Sequence, residues 1–420
     1  MQKKELQEQI SLLYPFLRKF RRDLHMNPEI GGQEHRTVEK IVQALCSFGF
    51  SSKDITTGIA GTGIVATVKG KYPGPVVMYR ADMDALRNCT DLCGETYASV
   101  NENVCHACGH DVHTTIAVGV AKLLYTCREE LHGTAKIFFQ PSEELPLIEG
   151  QQEEFCCYTE RPVGKRAAAA AVEQGILSGK DGNVVRILAM HCWPSLDVGT
   201  IGYEEKIAMA GSGNFYISLL GRSGHAGMPQ ASVDAIAMAA QAVDVLQTIV
   251  SRWSSPSVPL VLNIGTIRGG TRRSTVAGQV ELTGTVRCAA IDYLEEFVPR
   301  EMEHRLKGVC ESFGGEYQFE YRMDLPPVCN DKAMLAHDVY VLARMGCQVK
   351  KLTDCPMTAE DFSVLSHRVP SVFLKLGTRN RDVKTHYPLH NGHFCVDESC
   401  LAVGVEAAAA ILLDDLQGLT

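Results

Sequence analysis

The stretch "GTAKIFFQPSEE" (133–144) is a short apolar run that stops at Pro141 and is followed at once by Glu143 and Glu144. Its β-branched and aromatic residues read as a strand, and proline, which has no N–H to give to a ladder, ends it. "PVVMYRADMD" (75–84), "VVRILAMHCW" (184–193) and "SVFLKLG" (371–377) have the same character, and "GIVATVKG" (63–70) is a further strand-like run. Helical apolar periods lie between them, at 4–24, 34–48, "HTTIAVGVAKLLYTC" (113–127), "AAAAAVEQGIL" (167–177), about 331–345 and 398–416. Helices alternating with apolar strands predict an α/β domain, with a mostly parallel sheet covered by helices.

The middle of the chain follows a different order. It reads strand (213–220), helix (231–251), strand (259–267), strand (279–288), helix (291–312), strand (315–322). That βαββαβ order is the ferredoxin-like split βαβ unit. It predicts an inserted domain over 207–323, between two parts of one α/β domain, 1–206 and 324–420.

The 420 residues suit two domains or one large domain with an insertion. Hydrophobic residues make up 45% and charged residues 21%, the ordinary balance of a globular protein. The net charge of −8, with no basic stripe, argues against a nucleic-acid partner. No window approaches 18 continuous apolar residues, so no membrane span is expected. The N-terminal stretch reads as an amphipathic charged helix rather than a secretory signal. The sixteen cysteines are scattered, so most are expected as reduced, buried thiols and the protein as cytoplasmic.

Polar residues close the strands. "RADMD" (80–84), "QPSEE" (140–144) and "MHCW" (190–193) fall at predicted C-terminal strand ends, the edge where open α/β sheets bind ligands. "CHACGHDVH" (105–113) precedes a helix at that level, and "LHNGHF" (389–394) precedes the last one. Of two adjacent glutamates, one can ligate a metal while the other stays free as a base. Cys108 and His110 are the residue types that hold zinc and similar ions. Read alone, Cys105 and Cys108 are equally a zinc knuckle, a redox pair or two buried thiols. His225 in "GRSGHAGMP" (221–229) is a turn histidine or one that reaches a substrate and steadies an oxyanion.

Taken in order, "RADMDAL", "HACGHDVHT", "FFQPSEE", "MHCWPSLDVGTI", "GRSGHAGMP", "LNIGTIRGGT", "AEDFS" and "LH" resemble the M20 metallopeptidase family, in particular its amidohydrolase branch of hippurate, N-acyl-amino-acid and auxin-conjugate hydrolases. The resemblance runs from about Leu17 to the C-terminus. It implies hydrolysis of N-acyl amino acids or small peptides by a two-metal α/β domain, with Zn, Mn, Co or Ni as the ions. It implies metal ligation by Cys108, His110, Glu144, His191 and His390, and Glu143 as general base. His225 matches a lid histidine that reaches a partner's site in a homodimer formed through the inserted domain. Asp82, Asp84 and Glu360 match supporting carboxylates. Rival expectations are a dipeptidase or carboxypeptidase of the same fold, a non-catalytic zinc-stabilised binding protein, a nucleobase deaminase, which lacks its H-x-E and P-C-x-x-C signature here, and a thiol oxidoreductase built on Cys105 and Cys108.

The chain departs from similar proteins at three places. Arg272, Arg273 and Ser274 follow "GGT" where a small residue and Asn are usual, and two cations there could favour acidic substrates or simply be solvated. A long segment, "LPLIEGQQEEFCCYTERPVGKR" (145–166), follows the paired glutamates. Arg87 stands where a proline is usual.

Overall fold

In the computed structural model, residues 3–145, 165–381 and 385–417 are described. The chain opens with α1 (Lys3–Met26), α2 (His35–Ser47), β1 (Ile55–Ile59), β2 (Gly63–Lys69), β3 (Tyr72–Asp82), α3 (His110–Thr126), β4 (His132–Gln140), α4 (Ala167–Glu173), β5 (Val184–Asp197) and β6 (Thr200–Tyr203). The middle comprises β7 (Gly211–Leu220), α5 (Ala235–Thr248), β8 (Leu260–Gly269), β9 (Gln279–Cys288), α6 (Val298–Phe313) and β10 (Glu316–Leu325). The last part is α7 (Lys332–Arg344), β11 (Gln348–Lys351), β12 (Ser371–Arg379) and α8 (Cys400–Leu416).

The large sheet has eight strands in the order β1-β2-β4-β3-β5-β12-β6-β11. Its centre, β4-β3-β5-β12, is parallel throughout. The antiparallel pairings are those of β1 with β2, β2 with β4, and β6 with β12. Period-2 alternation divides each central strand between two cores. Val77, Tyr79 and Ala81 of β3 face the core built with α1, α2, α3, α7 and α8. Val76 and Met78 face the smaller core under α4 and the short helix Phe362–Ser366. A strand covered on both sides has no polar face, which is why these runs read as continuously apolar.

The second sheet is antiparallel, in the order β8-β9-β7-β10. One face carries α5 and α6 over a core of its own, with Phe215, Ile217, Leu219, Met238, Leu246, Leu282, Met302 and Leu306 at its centre. The two ends of this segment are neighbours, since Ser212 pairs with Leu325. Just outside them, Ile207–Met209 pairs with Val328–Cys329.

Several expectations need correction. The helix expected from 113 begins three residues earlier, at His110, behind Gly109 in a left-handed conformation. Residues 231–233 lie outside α5, because Asp234 caps its start by accepting from the N–H groups of Ile236 and Ala237. Most of the described cysteines are thiols as expected, twelve being free, but Cys89 and Cys105 form a disulfide. Cys105 is therefore paired with Cys89, not with Cys108 as a C-x-x-C redox couple requires. The sequence could not show this pairing, because the short ladder of Leu86–Arg87 with Val104–Cys105 that aligns the two sulfurs is weakly patterned. Of the long segment after the paired glutamates, 146–164 lie outside the described residues. No described helix is long and apolar enough to cross a membrane.

Candidate metal centre

The parallel register brings the strand ends to one level. Asp82 at the end of β3 pairs with Gln140 at the end of β4, and His191 in β5 pairs with Lys375 in β12. The turn after β4 carries Glu143 and Glu144, the first turn of α3 carries His110, and the loop before α8 carries His390. The donor atoms of Cys108, His110 and His191 lie within 4.8 Å of one another, and so do those of Cys108, Glu144 and His390, and of His110, Glu143 and Glu144. Cys108 thus belongs to two triplets, with its Sγ 3.5 Å from His191 Nε2. His390 Nε2 is 3.4 Å from Glu144 Oε1. All six residues expected at the catalytic centre in this part of the chain are brought together.

The surroundings fit cations. His110 Nδ1 donates to the Asp84 carbonyl at 2.9 Å, and His191 Nδ1 donates to the Cys192 carbonyl at 2.8 Å. Each ring therefore leaves its Nε2 for the cluster, the arrangement of metal-ligating histidines. His110 Nε2 is buried without a hydrogen-bond partner among the described residues, a costly state unless a ligand completes it. Negative charge is in excess. Burial, Glu360 and Glu144 push the Glu143 carboxyl well above its ordinary value. Burial and Glu144 do the same to the Cys108 thiol. A divalent cation bound here would supply the missing compensation.

Supporting residues hold this geometry. Asp84 engages His110 and accepts from the Glu144 N–H at 3.1 Å. Asp82 accepts from His113 Nδ1 at 2.5 Å and from Arg80 at 2.7 Å, and His113 Nε2 in turn accepts from the Cys192 N–H. Glu360 is turned to Arg80, at 2.8 Å, rather than to the ligand cluster. Three contributors escaped the sequence reading. The Asp361 N–H donates to Glu143 Oε1 at 3.1 Å. Glu34 accepts from the N–H of Ser142, which sits at a φ of 50°. Arg166 donates to the Glu143 carbonyl at 3.2 Å. Only Asp361, adjacent to Glu360 in "AEDFS", had a sequence signal nearby.

His225 is apart from this cluster. It lies on an exposed tip where Gly224–His225 pairs with Thr275–Val276, and its Nδ1 accepts from the Gly227 N–H. Arg272 and Arg273 are exposed on the same tip.

The sequence profile of peptidase family M20/M25/M40 matches residues 78–414. The chain belongs to this family. Among M20 relatives it is 34% identical over 393 residues to an N-acetylcysteine deacetylase of Bacillus subtilis (strain 168), covering 93% of this chain and 94% of that one. It is 36% identical over 330 residues to an N-acyl-L-amino acid amidohydrolase of Geobacillus stearothermophilus, covering 79% and 82%. A solved M20 structure, the Bacillus subtilis YXEP protein, described as a dinuclear metal binding peptidase, superimposes with a TM-score of 0.81 at 30% identity over 97% of this chain and 100% of that one.

Proposed function

We propose that this M20 protein hydrolyses the amide bond of N-acyl amino acids, or of similar amino-acid conjugates or small peptides, to a carboxylic acid and an amino acid. The names of the relatives support this substrate class. Two divalent ions, from among Zn, Mn, Co and Ni, would be held by Cys108, His110, Glu144, His191 and His390, whose donor atoms form overlapping triplets that have Cys108 in common. Bound there, such ions lower the pKa of water and polarise the scissile carbonyl.

Glu143 is the general base. One of its carboxylate oxygens is fixed by the Asp361 N–H, so the other is free to take a proton from the attacking water. The same oxygen returns that proton to the departing amine nitrogen, and water is thereby divided between the two products. The observation that carries the reading is the placement of Glu143 within 4.8 Å of His110 and Glu144 while one oxygen is already held by the backbone. Glu143→Gln is expected to lower kcat by roughly two to four orders of magnitude while metal content, measured by atomic emission, stays at wild type. Full turnover with normal metal content would show that another group is the base.

We further infer that residues 207–323 form a unit that pairs two copies of the chain, between catalytic parts 1–206 and 324–420. The exposed position of His225, with no described residue of the metal cluster against it, supports delivery to a second copy's site. There the imidazole would donate to the oxyanion. His225→Ala and Glu143→Gln chains, each inactive alone, should regain activity when mixed and allowed to exchange. A mixture that forms heterodimers yet stays inactive argues against a shared site.

A further inference from the structure

Arg166 belongs to none of the sequence motifs, yet it grips the turn that carries Glu143. Its Nη1 donates to the Glu143 carbonyl at 3.2 Å, and its Nη2 donates to Asp324 Oδ2 at 2.5 Å. Asp324 is the next-to-last residue of β10, in the small sheet. The two side chains are only 19% and 25% exposed. Arg166 immediately precedes α4, but its side chain does not cap that helix. The guanidinium is instead spent on joining two parts of the chain that are far apart in sequence. A planar fork can reach two acceptors in different directions, which a single ammonium cannot do as well.

The start of α4 also reaches the other end of Glu143. The Ala168 N–H lies 3.3 Å from Asp361 Oδ2, and the Asp361 N–H donates to Glu143 Oε1 at 3.1 Å. Glu143 is therefore held by its carbonyl through Arg166 and by its carboxylate through Asp361. The Arg166–Asp324 pair ties this frame to the small sheet. Arg287 of β9 lies close enough for the charges of Asp324 and Arg166 to act on it.

We propose that Arg166 is a positioning residue for Glu143, and that through Asp324 it makes the placement of Glu143 depend on the small sheet being seated against the large one. Seating then sets the base, and displacement of the small sheet releases it. The inference rests on the reading of Glu143 as the base.

The test uses the full-length, metal-loaded protein with Arg166→Gln, Asp324→Asn and the double variant, assayed on the N-acyl amino acid it turns over fastest. Arg166→Gln is expected to lower kcat by about tenfold to a hundredfold, with KM within about threefold of wild type and with Tm and metal content unchanged. Asp324→Asn, which touches no atom of the Glu143 turn, should show most of the same loss. The double variant should be no worse than Arg166→Gln, as members of one strut are non-additive. Hydrogen–deuterium exchange of the peptide 139–145 should rise in both single variants. The inference is overturned if kcat is unchanged in Asp324→Asn, if the two losses add, or if the loss is carried by KM. Should Arg166→Gln fail to fold, Asp324→Asn alone decides. The exchange measurement needs no turnover. A Glu143→Gln chain that stays active therefore removes the base assignment, while exchange still reports whether Arg166 and Asp324 hold the turn.

Discussion

Gly109 shows how closely the candidate ligand loop is built. It lies between Cys108 and His110 at a φ of 87°, a region that side chains rarely adopt. A Cβ at that position would lie 2.8 Å from Cys192 Sγ and 3.0 Å from Cys192 Cβ. Cys192 follows His191 on β5, so two segments that carry proposed ligands touch at this glycine. Gly109→Ala is expected to cost roughly 1–3 kcal/mol in backbone strain, more as β5 is pushed away, and to lower metal occupancy. Thermal denaturation and metal analysis of the dialysed protein measure the two effects. Normal Tm together with full occupancy would show that the loop adapts. His390 adopts a left-handed φ of 63° without being glycine. Its N–H donates to the Ala107 carbonyl at 2.8 Å, which ties the loop before α8 to the loop before α3. The sequence showed the residue types at Cys108, His110 and His390, because soft and nitrogen donors in apolar surroundings are conspicuous. It could not show Gly109's neighbour or the Ala107–His390 tie, since both depend on segments distant in sequence.

At the scale of elements, α1 and α3 are joined by a buried charge network. Arg21 and His25 lie one turn apart on α1, and both meet Asp111 in the first turn of α3, at 2.7 and 2.8 Å. Asp91 approaches the other ring nitrogen of His25 at 3.3 Å. Burial and the Arg21 guanidinium oppose charge on His25, but Asp111 and Asp91 outweigh them and raise it to about 10. A folded-state value raised above the ordinary 6.5 means stabilisation that is full below about pH 6.5 and lost as pH climbs through about 10. The difference in urea midpoint between wild type and His25→Gln should therefore be constant at low pH and shrink from about pH 6.5 toward pH 10. A difference that rises toward pH 6.5 and is flat from there to about pH 10 would show that His25 is neutral in the fold. The apolar period of α1 was legible from Leu6 to Leu24. The burial of Arg21 and His25 on that helix was not, because a charged residue in a helix reads as solvent-facing until its partner is known. The short strands β1, β6 and β11 were missed for a related reason: each is too short for an apolar run to stand out.

For the whole molecule, the alternating pattern of apolar strands and helices was enough to read an α/β sheet with a βαββαβ segment inside it. What the pattern lacked was strand order, because the adjacency of β5 and β12 is set by packing rather than by any local signal. The paired ends of the middle segment allow a direct experiment. Because Ser212 lies beside Leu325, replacing 213–324 with a short glycine-containing turn should leave the large sheet folded and able to bind metal, with catalysis lost. Cooperative thermal unfolding and retained metal would meet this expectation. A molten product would show that the large sheet needs the small one.

The same adjacency bears on how the chain acquires its shape during synthesis. β12 cannot dock beside β5 until the whole middle segment has been made, and joining strands across a floppy loop of that length is slow. A middle segment with its own core and touching ends folds as it emerges and draws its flanks together. The long search then becomes a short one before β12 appears.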